Sequence, residues 1–137
     1  MIFITYKNGE RIVHSESRPT SDLSLDELSD RIVQWGRDRG IIDNGNPQTQ
    51  CLKLMSEVGE LSDNIAKGRY EAAKDDLGDI VVVVMMIASQ IDSDLADCLR
   101  VAWDDIKDRK GFLNSQGVFV KEGDYNTRPN ALLDNEV

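Results

Sequence analysis

Two pairs of carboxylate side chains, one on either side of Gly68, could bind a divalent cation together. Glu57 and Glu60 form the first pair, and Asp76 and Asp79 form the second. A spacing of three residues places both members of a pair on one face of a helix. If the chain turns at Gly68, two antiparallel helices bring the four carboxylates into one small volume, which is costly unless a cation neutralises them. Oxygen ligands of this kind suit Mg²⁺ before Ca²⁺ or Mn²⁺.

Each carboxylate pair encloses a glycine, Gly59 in the first pair and Gly78 in the second. Glycine inside a helix costs about 1 kcal/mol relative to alanine, so these two positions indicate close approach of another helix or room for a ligand. Asp79 directly precedes the apolar run of residues 80–88, which places it at the edge of the core. A solvated acidic helix face is the alternative interpretation, and the residues alone leave both open.

Two predicted helices must position these carboxylates. Asn46 followed by Pro47 predicts the start of a helix that continues to about residue 67. After Gly68, a second predicted helix runs over residues 70–91, and its second half is apolar on every side. A helix without a polar face has no side to turn towards water. This segment therefore predicts burial by a second copy of the chain, in an obligate oligomer.

Two further helices flank this pair in the sequence. Ser24-x-x-Glu27 is a capping box that begins a helix ending at about residue 39. Residues 41–46 then predict a polar loop. The last helix spans residues 93–110, with an apolar stripe that we expect to face inward and that includes Leu95, Cys98, Leu99, Ala102, Trp103 and Ile106.

Asn8-Gly9, between two β-rich runs, predicts a type I′ turn and a hairpin at the N-terminus. A short extended piece is predicted at residues 117–121. The fold class is therefore all-α, an oligomeric helical bundle of about four main helices with a small N-terminal β-hairpin. We expect an N-terminal hairpin and connector, a helical domain and a mobile tail, at residues 1–22, 23–122 and 123–137 respectively.

The residues around the two carboxylate pairs resemble a known enzyme family. KLMSEVGELSDNIAKG at residues 53–68, followed by KDDLGDIVVVVMMIASQ at residues 74–90, is similar to the paired motif of the all-α nucleoside triphosphate pyrophosphohydrolases, in particular the short MazG-like branch. The resemblance covers about residues 31–122. It implies a dimeric or tetrameric bundle that hydrolyses a (deoxy)nucleoside triphosphate to monophosphate and pyrophosphate with Mg²⁺, in nucleotide-pool house-cleaning. A relative restricted to a pyrimidine deoxynucleotide, dCTP or dUTP, is an alternative.

By position, the resemblance implies that Glu57, Glu60 and Asp79 bind the metal. Asp76 stands where the family pattern has glutamate, and its side chain is one methylene shorter. It would therefore bind the ion through water or require closer helices. One of the four carboxylates could also act as the general base for the attacking water. The departure at Asp76 leaves open a helical nucleotide- or metal-binding regulator with weak or no catalysis.

Candidate substrate contacts are cationic or aromatic side chains. Lys53 shares a helix face with Glu57 and could pair with it or reach a phosphate. Trp35 could stack on a base, although its place on an apolar stripe favours core packing. A basic cluster at the end of the last helix could contact phosphates or balance the helix dipole, and consists of Lys107, Arg109 and Lys110.

The amino-acid composition of the chain limits the kinds of partner that we expect it to bind. Sixteen basic and 25 acidic residues give a net charge of −9, which argues against a nucleic-acid-binding surface. The longest apolar run is about half of what a membrane span requires, and the N-terminus lacks the features of a signal peptide. Cys51 and Cys98 fit small buried residues of a reducing compartment. We expect a cytoplasmic protein that binds a nucleoside triphosphate and its own copies, but neither nucleic acid nor membranes.

Overall fold

The computed structural model describes residues 2–15 and 18–125. Within them the chain forms six α-helices, four of them long, and two small antiparallel β-hairpins. The predicted all-α class is confirmed. The chain divides into two compact units, Met1–Cys98 and Leu99–Val137, which are described separately below. The domain boundaries expected at residues 22 and 122 remain predictions.

The N-terminal hairpin forms as the sequence predicts. Strand β1 (Ile2–Lys7) pairs antiparallel with β2 (Glu10–Ser15), and Lys7 lies opposite Glu10 across the turn. Asn8 and Gly9 have φ values of 53° and 82°, the positive values that a type I′ turn requires at both central residues. Strand β1 contacts the first long helix, so the hairpin is attached to the helical part of this unit.

The helices of the first unit are α1 (Leu25–Asp38), α2 (Ile41–Asn44), α3 (Pro47–Ala66) and α4 (Tyr70–Gln90), and α5 (Leu95–Ile106) begins at its end. The predicted capping box begins α1, because Ser24 and Glu27 each accept a hydrogen bond from the other's backbone N–H. The polar loop predicted after α1 is wrong in part. Residues Ile41–Asn44 form a helical turn whose Ile42 is buried, so tertiary packing outweighs the polar character of the segment.

Helices α3 and α4 form the predicted hairpin. The Asn46 side chain accepts a hydrogen bond from the Thr49 backbone N–H at 2.8 Å and caps the start of α3. At its end Gly68 adopts a left-handed conformation with φ 67°. There the Arg69 N–H donates to the Asn64 carbonyl at 2.8 Å, while the Gly68 N–H donates to the carbonyl of Ile65. This Schellman motif closes α3 and directs the chain back along it as α4.

The core of the first unit lies on the C-terminal half of α4, where α1 and α2 pack. Met85 and Met86 are buried there with Ile42. Gly36 of α1 is also buried, and a Cβ on it would overlap the Met86 sulfur and lie 2.8 Å from its Cε atom. Glycine at this position therefore allows α1 to approach α4 closely. Across the described ranges, no helix combines the length and apolar character that crossing a bilayer requires.

Several residues predicted to face inward are exposed in the single chain. On α5 the expectation is wrong for Leu99, Ala102, Trp103 and Ile106, whereas Leu95 and Cys98 are half-buried. Cys51 on α3 is exposed as well, contrary to its predicted burial. Apolar periodicity identifies a helix face, but it does not identify the element that covers that face.

The second unit contains the rest of α5, a short hairpin and a final helical turn. Strand β3 (Gly111–Leu113) pairs antiparallel with β4 (Phe119–Lys121), and α6 (Glu122–Tyr125) follows. The extended piece expected at residues 117–121 is therefore the second strand of a hairpin whose first strand the sequence did not indicate. The mobile tail was expected from residue 123, and most of it, residues 126–137, lies outside the described residues.

Candidate functional site

The four acidic residues lie on the two helices of the α3–α4 hairpin, but their surroundings differ. Glu57 and Asp76 are buried, with 5% and 6% of their surface exposed. Asp79 is half-buried, and Glu60 is exposed. A buried carboxylate requires a partner because its desolvation is otherwise uncompensated. The partners of Glu57 and Asp76 therefore define the chemistry of this hairpin.

Glu57 pairs with a lysine one helical turn earlier. The Lys53 Nζ lies 2.6 Å from Glu57 Oε1, and more than half of the lysine side chain remains exposed. The hydrogen bond to Glu57 and the charge of that carboxylate raise the pKa of Lys53, and the charges of Glu60 and Asp79 raise it further. Carboxylates of both helices thus act on this ammonium group. The ion pair between Lys53 and Glu57 is the i, i+4 pair that the sequence left as one alternative.

The pKa of Asp79 is shifted by charged residues of both motif halves. Burial raises its pKa above the ordinary value, and the negative charges of Asp75, Glu57 and Asp76 raise it further. Lys53 acts in the opposite direction. Because carboxylates of α3 and α4 act together on Asp79, this part of the hairpin holds more negative charge than the neighbouring cation offsets.

Asp76 is held by a residue that the sequence reasoning did not identify. The Asn64 side-chain amide on α3 donates a hydrogen bond from Nδ2 to Asp76 Oδ2 at 2.7 Å, joining the two helices. Asn64 is half-buried and lies four residues after Glu60, on the same helix face. That spacing is a signal from which it could have been identified.

The two glycines of the motif do not mark close helix packing. A Cβ at Gly59 or at Gly78 meets no atom of the described chain within 4 Å beyond the helix's own neighbouring backbone. The close-approach explanation is therefore wrong for the single chain. Open space beside both carboxylate pairs remains, in contrast to the contact made by Gly36.

A hard divalent cation fits this set of donors in type and charge. The side chains offer oxygen ligands only, which is the preference of Mg²⁺ and Mn²⁺. Burial raises the pKa of Asp79, and the negative charges around it raise that pKa further. In the described part of the chain, however, no group of three or more His, Cys, Asp or Glu side chains is already arranged to hold a metal. A cation would therefore have to draw carboxylates of the two helices together.

Most of the other candidate residues contact neighbours that are close to them in the sequence. Trp35 is 42% exposed and is not a core residue, and the guanidinium of Arg39 lies 4.7 Å from its ring centroid. In the second unit, each of two basic side chains that follow α5 forms an ion pair with an acidic residue three or four positions earlier, Lys107 with Asp104 and Arg109 with Asp105.

Lys110 takes part in the fold of the second unit through its backbone. Its carbonyl accepts a hydrogen bond from the Glu122 N–H at 3.0 Å, just before β3 begins. Its side chain is exposed. The basic cluster at the end of α5 therefore presents exposed or locally paired side chains, and its contact with phosphate stays a prediction.

Comparison with known proteins shows that the helical hairpin is similar to a family of enzymes. Residues 46–110, which include α3, α4 and α5, match the family model of the MazG nucleotide pyrophosphohydrolase domain. The predicted resemblance is thereby confirmed over this segment, which makes up slightly less than half of the chain. Both motif halves and the basic cluster at Lys107, Arg109 and Lys110 fall inside the matched segment.

A curated relative comes from Haemophilus phage HP1 and is described as an uncharacterized 18.2 kDa protein in the rep-hol intergenic region. It is 41% identical over 66 residues, a stretch that covers 48% of this chain and 40% of the relative. The match thus spans less than half the length of that protein. No solved structure matches the chain.

Proposed function

We propose that this protein hydrolyses nucleoside triphosphates to nucleoside monophosphate and pyrophosphate, with Mg²⁺ as its cofactor and Mn²⁺ as a substitute. The MazG match supports the reaction class. The observation that carries the proposal is the packing of α3 against α4, which brings the two carboxylate pairs of the motif together on one helical hairpin, so that charges from both helices act on Asp79. The two motif halves thus act on one region, where a cation and a polyphosphate would be stabilised together.

The four carboxylates have the central role in this proposal. The residues that would hold the cation are Glu57, Glu60, Asp76 and Asp79. A bound divalent cation supplies polarisation of the phosphoryl oxygens and neutralisation of the developing charge. One of the carboxylates accepts a proton as the oxygen of water attacks phosphorus. The bond between the α- and β-phosphates breaks, and pyrophosphate leaves with the electron pair.

Lys53 is the cation that now occupies the neighbourhood of Glu57. When a divalent cation binds that carboxylate, we expect the ammonium group to turn towards a phosphate of the substrate. Its exposed side chain has the freedom to do so. Lys107, Arg109 and Lys110 are proposed as further phosphate contacts, and Trp35, which is 42% exposed, as a stacking surface for the base.

The working form is proposed to be a homodimer or tetramer in the cytoplasm, acting in nucleotide-pool house-cleaning without nucleic acid or membrane partners. Exposed apolar side chains on the two helices support self-association, since Met55, Leu77 and Val81 are 69%, 52% and 39% exposed in the single chain. A second copy that covers them would remove this apolar surface from water.

A turnover screen tests the reaction. The common ribo- and deoxynucleoside triphosphates, including dCTP and dUTP, are incubated with the protein and Mg²⁺, and pyrophosphate and phosphate are measured separately. We expect pyrophosphate and monophosphate in equal amounts, and none with EDTA. Activity confined to dCTP or dUTP would identify the pyrimidine-restricted form.

Substitutions that remove the charge of a carboxylate test whether the activity lies in the proposed site. Glu60→Gln and Asp79→Asn should each lower turnover by about 100-fold or more, because metal-borne charge stabilisation is worth several kcal/mol. Asp63→Asn and Glu71→Gln are matched controls, since both residues are exposed and pair within their own helix. Phosphate as the sole product, or equal loss in the controls, would rule out the proposal.

A catalytically weak nucleotide- or metal-binding regulator is the second candidate. It is favoured by one observation, the hydrogen bond by which Asn64 already engages an oxygen of the short Asp76 side chain. The same screen separates the two functions. A regulator would bind nucleotide in the presence of Mg²⁺, measured by calorimetry, without releasing pyrophosphate, and both neutral variants would weaken that binding.

A further inference from the structure

Asn64 takes part in two hydrogen bonds, one through its backbone carbonyl and one through its side-chain amide. The backbone of Asn64 is part of the Schellman motif, in which its carbonyl accepts the Arg69 N–H at 2.8 Å. Its side chain crosses to α4 and donates to Asp76 Oδ2 at 2.7 Å. One residue therefore takes part both in the turn that joins the helices and in the placement of a carboxylate on the second helix.

The hydrogen bond engages one of the two carboxylate oxygens and leaves Oδ1 for another ligand. An amide donor satisfies a buried oxygen without adding a positive charge, so it does not replace the cation that four carboxylates call for. Lys53 acts differently at Glu57, since it brings a full charge to that carboxylate. Asp76 is thus held in place by a neutral partner.

From this geometry we propose that Asn64 is a positioning residue, which fixes the short side chain of Asp76 so that its remaining oxygen can bind the divalent cation. The inference rests on the proposed function. Asp76 is one methylene shorter than the glutamate of the family pattern, so it has fewer ways to reach an ion. A hydrogen bond that selects one orientation compensates for this shorter reach. Carboxylate ligands of metals are commonly held by such outer partners, whose loss weakens metal binding about 10–100-fold.

The test measures Mn²⁺ binding to the full chain by titration calorimetry, without nucleotide. Asn64→Ala should weaken Mn²⁺ binding about 10–100-fold. Asn64→Leu, which keeps the approximate volume but lacks the donor, should weaken it to a similar extent. Ser62→Ala is the matched control, because the Ser62 hydroxyl donates to the Val58 carbonyl of its own helix. This control should bind Mn²⁺ as the wild type does.

A second background separates positioning from a purely structural contact. In Asp76→Glu the side chain has the length of the family pattern, so removing the Asn64 donor should weaken Mn²⁺ binding by less than about threefold. Thermal unfolding in metal-free buffer shows which variants are folded. Wild-type affinity in both Asn64 variants, or an equal loss with aspartate and with glutamate at position 76, would overturn the inference. Absence of Mn²⁺ binding by the wild type would instead overturn the proposed metal site itself.

Discussion

The two halves of α4 lie in environments of opposite character. Its C-terminal half packs closely, with Met85 and Met86 buried against α1 and α2. Its N-terminal half faces α3 and carries Asp76 and Asp79, with open space beside Gly78. The C-terminal half gains stability by burying apolar atoms. The N-terminal half places carboxylates of both helices near Asp79, where burial and their negative charges raise its pKa, so we expect a bound cation to stabilise this half.

This difference predicts that substitutions in the two halves act in opposite directions on stability. Shortening a buried side chain in the C-terminal half should destabilise the fold, whereas removing a carboxylate or a glycine in the N-terminal half should stabilise the metal-free protein. Function should show the reverse dependence, because the less stable half holds the proposed site.

The largest expected effect is that of Met86→Ala. Met86 is the largest fully buried side chain of the described residues, and truncation of such a residue costs about 2–5 kcal/mol through lost burial and a residual cavity. Urea unfolding monitored by circular dichroism measures the free energy of unfolding. Lys74→Ala, on the exposed side of the same helix, should change it by no more than about 0.5 kcal/mol. A loss below about 1 kcal/mol for Met86→Ala would contradict the location of the core.

Alanine at three glycines gives the next contrast. Gly59→Ala and Gly78→Ala should each raise the free energy of unfolding by about 1 kcal/mol, since alanine favours a helix and its Cβ meets no neighbour. Gly36→Ala should instead lower it, because overpacking against Met86 costs about 1–3 kcal/mol and exceeds the helix gain. Chemical unfolding of the three variants checks the signs.

Equal stabilisation by all three alanines would refute the distinction between close contact and open space. The same proteins also report on function. If the space beside Gly78 accommodates substrate, Gly78→Ala should release pyrophosphate more slowly than the wild type although it is more stable. Unchanged turnover would show that this space is not needed for the reaction.

The smallest expected effect is the pH dependence contributed by Asp79. Its pKa is raised in the folded protein, so the folded state binds this proton more tightly than the unfolded state does. Stability from this group is therefore present at pH values below the ordinary aspartate pKa, and is lost as pH rises through the raised pKa. In EDTA, Asp79→Asn should be more stable than the wild type at pH 7, and this advantage should disappear towards pH 3.5.

Asp63→Asn should change stability at pH 7 in the direction opposite to Asp79→Asn. Asp63 forms an exposed pair with Lys67, so its neutralisation should cost a few tenths of a kcal/mol at pH 7. Thermal unfolding at the two pH values measures both variants. A metal-free Asp79→Asn protein less stable than the wild type at pH 7 would show that Asp79 is stabilised by its surroundings.

Local signals in the sequence predicted the helical hairpin well. Asn46, Pro47 and Gly68 each have one strongly favoured backbone role, and the predicted bounds of α3 and α4 agree with the structure to within one residue. The paired motif also predicted the resemblance that the family model confirms over residues 46–110. These features depend on residues close together in the chain, and for that reason one sequence was sufficient.

Features that depend on distant residues were not predicted. The helical turn at Ile41–Asn44 forms where its Ile42 meets the core. Trp103 lies on an apolar stripe with helical spacing, yet it is 61% exposed in the single chain. The spacing identifies a helix face but does not specify which surface covers it. The spacing of Asn64 after Glu60 indicates a shared helix face, but the contact of its side chain with Asp76 on the other helix is seen only in the structure.

The contact between Gly36 and Met86 also has a consequence for oxidative chemistry. Conversion of a thioether to its sulfoxide adds a polar oxygen, and there is no room for an added atom next to the Met86 sulfur on the side of Gly36. Met55 on α3 is 69% exposed in the single chain, and so it is open to peroxide wherever a second copy does not cover it. Oxidant should therefore modify Met55 first and reach Met86 after α1 has separated from α4. Sulfoxide at position 86 would thus record the opening of the core.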